Sequence, residues 1–155
     1  MKLVKRRFDI SHGIYLCSKK MKISRGLRNN NPLNIRRNRT VWKGLSAVQG
    51  DREFFSFTDA CWGYRAAFIT LRNYCLRHGL TTLRQWIGRW APPVENDTEA
   101  YIRFVSAKTG FDADADICID DANVMCSVVA AMSHIENGVP ATMSDVEKGW
   151  QLTIL

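Results

Sequence analysis

A chain of 155 residues with 46% hydrophobic side chains is long enough for one domain with its own core, and no apolar run reaches the length of a membrane span. Its formal net charge of +7 points to a polyanionic partner, whether nucleic acid, an acidic membrane face or a bacterial wall rich in carboxylates and phosphates. Five cysteines (Cys17, Cys61, Cys75, Cys118 and Cys126) without a C-x-x-C pair exclude a disulfide framework and a zinc knuckle, and fit synthesis in a reducing cytoplasm.

The first residues, Met1 to Arg7, are charged like the start of a secretion signal. Asp9, Ser11, His12 and the Lys19-Lys20 pair then interrupt any apolar stretch, so no signal peptide is read. Residues 1–22 read as a basic arm ahead of a domain over 23–155. Met21 is an alternative natural start, which N-terminal mass spectrometry of the native protein would decide.

The run Arg25-Gly26-Leu27-Arg28-Asn29-Asn30-Asn31-Pro32-Leu33-Asn34-Ile35-Arg36 is dense in turn-forming amides, and Pro32 pushes Asn31 toward an extended shape. A loop is predicted here. Residues 41–57 read as extended and turn-rich, with a short strand over Glu53–Phe57. Thr58 or Asp59 caps a long helix that carries Trp62, Ala66, Phe68, Ile69, Leu71 and Tyr74 at helical spacing and stops at Gly79. A shorter helix runs from Thr81 or Thr82 to Arg89, and Pro92-Pro93 breaks the chain behind it.

Asn96 or Asp97 caps the next helix, whose buried side is Tyr101, Ile102, Phe104 and Val105 and whose end is Gly110. Asp112, Asp114 and Asp116 resemble the opening of a calcium loop, but Ile117 stands where the glycine is needed and Asn123 where the bidentate glutamate is needed. A solvated turn is expected instead. Asp120 or Asp121 starts a helix that is apolar nearly all round and therefore interior, ending at Glu136-Asn137-Gly138. Ser144-Asp145-Val146-Glu147 has the form of a capping box for a terminal helix. The sum is a mainly α (α+β) single domain with a small extended lobe near residues 40–57.

Glu136 is the carboxylate that stands out. A dry environment raises a carboxyl pKa, the negative end of a helix does the same, and a protonated glutamate is what cleaving a glycosidic bond requires. The alternative is an exposed acid on a fraying last turn. Glu95, in the loop after Trp90-Ala91-Pro92-Pro93, is a candidate second acid or substrate contact, or else a helix-preceding acid that favours the dipole. Glu53 and Asp59 are weaker candidates of the same kind. His134 is two residues from Glu136 and so faces elsewhere on a helix; with His12 and His78 it forms no metal-ligand pattern. No phosphate loop and no nucleophile elbow is present, and nothing singles out one cysteine for a Cys-His pair. Trp62, Trp86 and Trp90 read as core, whereas Trp42, in a polar Gly-flanked loop, is expected to be partly exposed.

The Arg25–Arg36 run, Trp42-Lys43-Gly44, Phe55-Ser56-Phe57, Gly63-Tyr64-Arg65-Ala66, the segment from Arg89 to Thr98, Tyr101 and Glu136-Asn137-Gly138 together resemble small proteins of bacteriophages and prophages, labelled phage structural proteins and thought to be lysozyme-like. The resemblance covers about residues 24–150. A second similarity is to autolysin-type and flagellar glucosaminidases, in which an apolar helix ends in Glu-Ser-Gly and is followed by an Asn-containing loop, a Trp-x-Gly and a Phe-containing strand. Here the helix ending in Glu136 comes last, so the order is that of a circularly permuted lysozyme-like domain, which nearby termini make physically cheap.

These resemblances imply peptidoglycan glycan-strand cleavage. Glu136 would be the general acid/base, with Asn31 and Asn34 holding acetamido groups and Trp42 and Tyr101 packing on or orienting the sugar. With Glu136 alone the subtype is a lytic transglycosylase; with Glu95 or Glu53 facing it, a two-acid hydrolase. No metal and no cofactor is implied, and a monomer is expected. Two other functions stay open: a non-catalytic virion component that binds wall or other proteins, and a basic nucleic-acid-binding module. The last is disfavoured by the lack of a reader motif or stacking strip. Without an export signal the protein is expected to be made in the cytoplasm and to act at the wall or within a virion.

Overall fold

The computed structural model describes residues 22–155. The expected basic arm and the alternative start at Met21 lie outside the described residues, apart from Lys22. Among the described residues six α-helices follow in order: α1 (Arg25–Arg28), α2 (Ala60–His78), α3 (Leu83–Trp90), α4 (Thr98–Thr109), α5 (Ala122–Asn137) and α6 (Met143–Gln151), with a 3-10 turn at Leu152–Ile154. The domain is mainly helical, as the periodicity predicts.

Helix ends follow local chemistry closely. Asp59 accepts from the Cys61 amide, Asp97 from Ala100, and Asp121 from both Asn123 and Val124. Thr82 and Gln85 form a reciprocal capping box. Each such cap stabilises its helix by about 1 kcal/mol. Gly79, Gly110 and Gly138 close α2, α4 and α5 in the left-handed conformation.

Three local expectations are corrected. Residues 25–28 are not loop but one helical turn, because the Ser24 hydroxyl caps it by accepting from Leu27. The terminal helix starts at Met143 behind Thr142, which makes no side-chain cap bond, so Ser144 already sits inside the first turn. Burying Val146 completely, with Gly149 one turn on, sets that register in place of the capping box. The lobe over 40–57 is extended but holds no strand, only isolated antiparallel bridges at Arg36–Phe54 and Leu45–Phe57. The backbone groups of Phe55–Phe57 bond instead to scattered partners: Ile35 oxygen, the Gln49 side chain, Asn29 oxygen and the Asn31 amide. Side-chain amides thus substitute for a partner strand.

The core is formed where α2 to α6 meet, with Phe68, Leu71, Trp86, Ile87, Met125 and Met132 among its fully buried side chains. α5 packs on α4, α6, α1 and α2. It is not apolar all round: Ala122, Asn123 and Ser127 form an exposed edge. The Asn-rich loop lies on α2 at Gly63, where a Cβ would collide with the Asn30 carbonyl oxygen and fall 2.7 Å from Pro32 Cδ. That contact explains a glycine inside a helix that otherwise favours larger residues.

Candidate active site

The loop after α1 owes its shape to its asparagines. Asn30 and Asn34 adopt φ of 49° and 51°, a left-handed backbone that asparagine tolerates better than most residues. Asn29 donates to Asp51, and Asn30 donates to the Phe57 carbonyl. Asn31 is completely buried: its amide nitrogen donates to the Ile35 and Phe55 carbonyls and its oxygen accepts from the Ile35 amide. The expectation that Asn31 holds an acetamido group is therefore corrected. Its hydrogen-bonding groups are already spent on the loop, out of reach of any ligand.

Asn34 differs. Its Nδ2 donates to Glu136 Oε2 at 3.0 Å, and the Tyr101 hydroxyl donates to Glu136 Oε1 at 3.1 Å. The next residue on α5, Asn137, fastens this junction. It donates to the Pro32 carbonyl at 2.8 Å and to the Ser133 carbonyl at 2.7 Å, and accepts from the Ser24 hydroxyl at 2.6 Å. Gly138 ends the helix. In the triplet Glu136-Asn137-Gly138 the first residue faces the cleft, the second ties the helix end to the loop, and the third stops the helix.

Burial pushes the Glu136 carboxyl above its usual pKa, and donation from Asn34, Tyr101 and the Trp90 side chain works in the opposite direction. The Tyr101 hydroxyl is held well above its ordinary value, first by burial and then by the charge of Glu136. Tyr101 is only 6% exposed, so it acts on the carboxyl and offers no broad ring face to a ligand.

Glu136 lies on a chain of adjoining depressions. The largest, about 520 Å³, is lined by Asn34, Arg36, Phe54, Trp90, Glu95 and Glu136. A second of about 260 Å³ continues past Asn34, Arg36 and Trp90 to Asn38, Trp42 and Tyr74. A third of about 280 Å³ runs from Glu136 and Asn96 to Asp97 and Tyr101. Trp42 is half-buried in this groove, while Trp90, read from the sequence as core, forms part of its wall. Tyr74 and Trp90 pack edge-on with centroids 6.3 Å apart. Glu95 shares the cleft but is exposed and pairs with Arg36 at 3.1 Å.

The weaker candidates have structural partners. Glu53 pairs with Arg25, and Asp59 caps α2. His134 stacks edge-on against Phe104, away from the cleft. Asp114 binds Arg84, and Asp116 accepts from the Thr81 hydroxyl. Among the described residues no cluster of three His, Cys, Asp or Glu side chains could hold a metal ion. Burial raises the Cys61 and Cys126 thiols to about 11, so neither is a ready nucleophile at neutral pH.

No protein-family model matches the chain. It is 39% identical over 132 residues to Protein P5 of Pseudoalteromonas phage PM2, an alignment that spans 83% of this chain and 81% of that protein. The chain belongs to the Protein P5 family. Phage kinship, expected from the motifs, thus holds, and it now rests on an alignment across most of both chains. Among the described residues of this Protein P5 relative, no helix is long and apolar enough to cross a membrane.

Proposed function

We propose that this chain cleaves the glycan strands of peptidoglycan, with Glu136 as general acid/base, on a lysozyme-like scaffold in permuted order. The observation that carries the reading is a partly desolvated carboxyl, each oxygen met by a neutral donor, at the centre of an elongated cleft walled by amides and aromatic rings. Desolvation favours the protonated form, which gives its proton to the glycosidic oxygen as the bond to the anomeric carbon breaks. Asn34 and Tyr101 then stabilise the carboxylate that remains. Trp42 and Trp90 cover sugar faces, and Asn38 meets polar edges, while the Asn34 amide is engaged by Glu136.

The subtype favoured is a lytic transglycosylase. Glu95 is the other carboxylate in the largest depression, and its charge is engaged by Arg36. A substrate's own 6-hydroxyl can instead attack the anomeric carbon, returning its proton to Glu136. Loss of turbidity of purified cell walls, absent in Glu136→Gln, tests the activity. Mass spectrometry of the digest tests the subtype: an anhydro-muramic end supports transglycosylation, a reducing end supports hydrolysis, and no released fragment refutes catalysis.

Kinship with a phage protein favours a second reading, a non-catalytic virion component that grips wall through the same cleft. Sedimentation with walls that is unchanged in Glu136→Gln, without fragment release from either protein, would select it.

A further inference from the structure

An ion pair, Arg36 with Glu95, closes over the cleft. Arg36 stands on the lobe side, its backbone bridged to Phe54, and Glu95 stands on the opposite wall in the turn between α3 and α4. That turn is fixed by the Glu95 amide and the Asn96 side chain, both donating to the Pro92 carbonyl. The two charged groups thus belong to separate walls and meet across the largest depression.

The pair is underbuilt. One nitrogen of Arg36 donates to one oxygen of Glu95, at 3.1 Å, and the side chains are 63% and 62% exposed. Arg25 shows what a structural arginine looks like here. It gives two parallel bonds of 2.7 Å to Asp51 and a third to Glu53, and Asp51 is further held by Asn29 and two backbone amides. A guanidinium is a planar fork suited to both oxygens of a carboxylate, and half of that capacity is idle at Arg36. An exposed pair of this kind holds weakly and changes partners easily. Nearby, Arg89 adds a second positive charge to the cleft lining, its guanidinium over Tyr74 and a nitrogen 3.5 Å from His78. Glu136, the remaining acid in that lining, is engaged by Asn34 and Tyr101.

We infer that Glu95 is a placeholder: in the free protein it occupies the position on Arg36 that a carboxylate of the bound glycan takes, so that Arg36 selects acidic strands over neutral ones. This rests on the glycan reading and names the substrate class within it. Arg36 is a specificity residue, and Glu95 is its internal competitor, not a second catalytic acid.

Binding separates this inference from the activity. In the Glu136→Gln background, tryptophan fluorescence follows titration with two tetrasaccharides. One is neutral, built of N-acetylglucosamine alone; the other alternates N-acetylglucosamine with N-acetylmuramic acid and so carries lactyl carboxylates. Arg36→Gln is expected to weaken the acidic oligomer about five- to tenfold and the neutral one less than about twofold. Glu95→Gln is expected to tighten the acidic oligomer about threefold at low salt, with the gain disappearing at high ionic strength. Equal weakening of both oligomers by Arg36→Gln would overturn the inference, as would weaker acidic binding in Glu95→Gln. Failure of both oligomers to bind any variant would overturn the glycan reading itself, and this inference with it. Both positions are exposed, and circular dichroism checks that the variants keep the fold.

Discussion

The Asn34 amide donates to the Glu136 carboxyl at 3.0 Å across 102 positions of sequence, joining a left-handed loop residue to the last turn of a buried helix. That bond favours the ionised carboxyl, as does the one from Tyr101. Removing either donor therefore raises the Glu136 pKa further. If the protonated acid is the working form, the alkaline limb of the pH–rate profile for wall lysis moves to higher pH in Asn34→Ala and in Tyr101→Phe. The maximal rate falls roughly tenfold as positioning is lost. An unmoved alkaline limb in both variants would assign the limb to another group.

Burial of Glu136 also has a consequence for stability. Its folded pKa lies above the ordinary 4.5, so the folded state holds its proton where the unfolded chain releases it. The stability this contributes is present below about pH 4.5 and is lost as pH rises through the raised folded value. Glu136→Gln keeps the shape and never ionises. Thermal unfolding is expected to show the variant more stable than the parent at pH 7, with the difference shrinking toward pH 4. A constant difference across that range would mean that the carboxyl is solvated in the folded state.

Most helices were legible because their ends are written locally. Asp59 with Gly79, Asp97 with Gly110 and Asp121 with Gly138 each bracket a periodic apolar face. The extended lobe was legible only in outline, since its bonds run through Asn29, Asn31 and Gln49 side chains that carry no periodic signal. Within the candidate site, Glu136 stood out by its place at a helix end, and Asn34 by its loop. Which asparagine faces the cleft was not readable, because four amides close in sequence differ only in the backbone conformation that aims them. Trp90 looked like core for a related reason: helical spacing reports the side of a helix, and that side here is shared between core and groove. Arg36 carried no signal among so many cations, since its partner Glu95 lies 59 positions away.

Asn31 supplies a test of the structural role assigned to it. Its side chain satisfies two carbonyls and one amide in a site without solvent access. Asn31→Ala leaves these groups unpartnered and should cost about 2–4 kcal/mol in chemical denaturation. The surviving folded fraction should still bind the neutral tetrasaccharide within about threefold of the parent, because nothing in the groove is removed. A loss of binding without a loss of stability would return Asn31 to the ligand-contact role.

Gly26 is the last residue on which the site depends, although it touches no ligand. A Cβ there would lie 2.8 Å from Asn34 Oδ1, 2.9 Å from Asn137 Oδ1 and 2.9 Å from the Asn31 carbonyl oxygen. All three neighbours are fixed: Asn34 by Glu136, Asn137 by Pro32 and Ser133, and Asn31 by the lobe. The added methyl cannot be absorbed by one flexible tip, so Gly26→Ala should cost about 1–3 kcal/mol through overpacking. It should also displace the Asn34 amide from the Glu136 carboxyl. The expected signature is a combined one: a lower unfolding midpoint and the same upward shift of the alkaline limb as Asn34→Ala. Adding Asn34→Ala to Gly26→Ala should then shift that limb no further, since the bond is already broken. Additive shifts in the double variant would mean that Gly26 acts on Glu136 by some route other than Asn34.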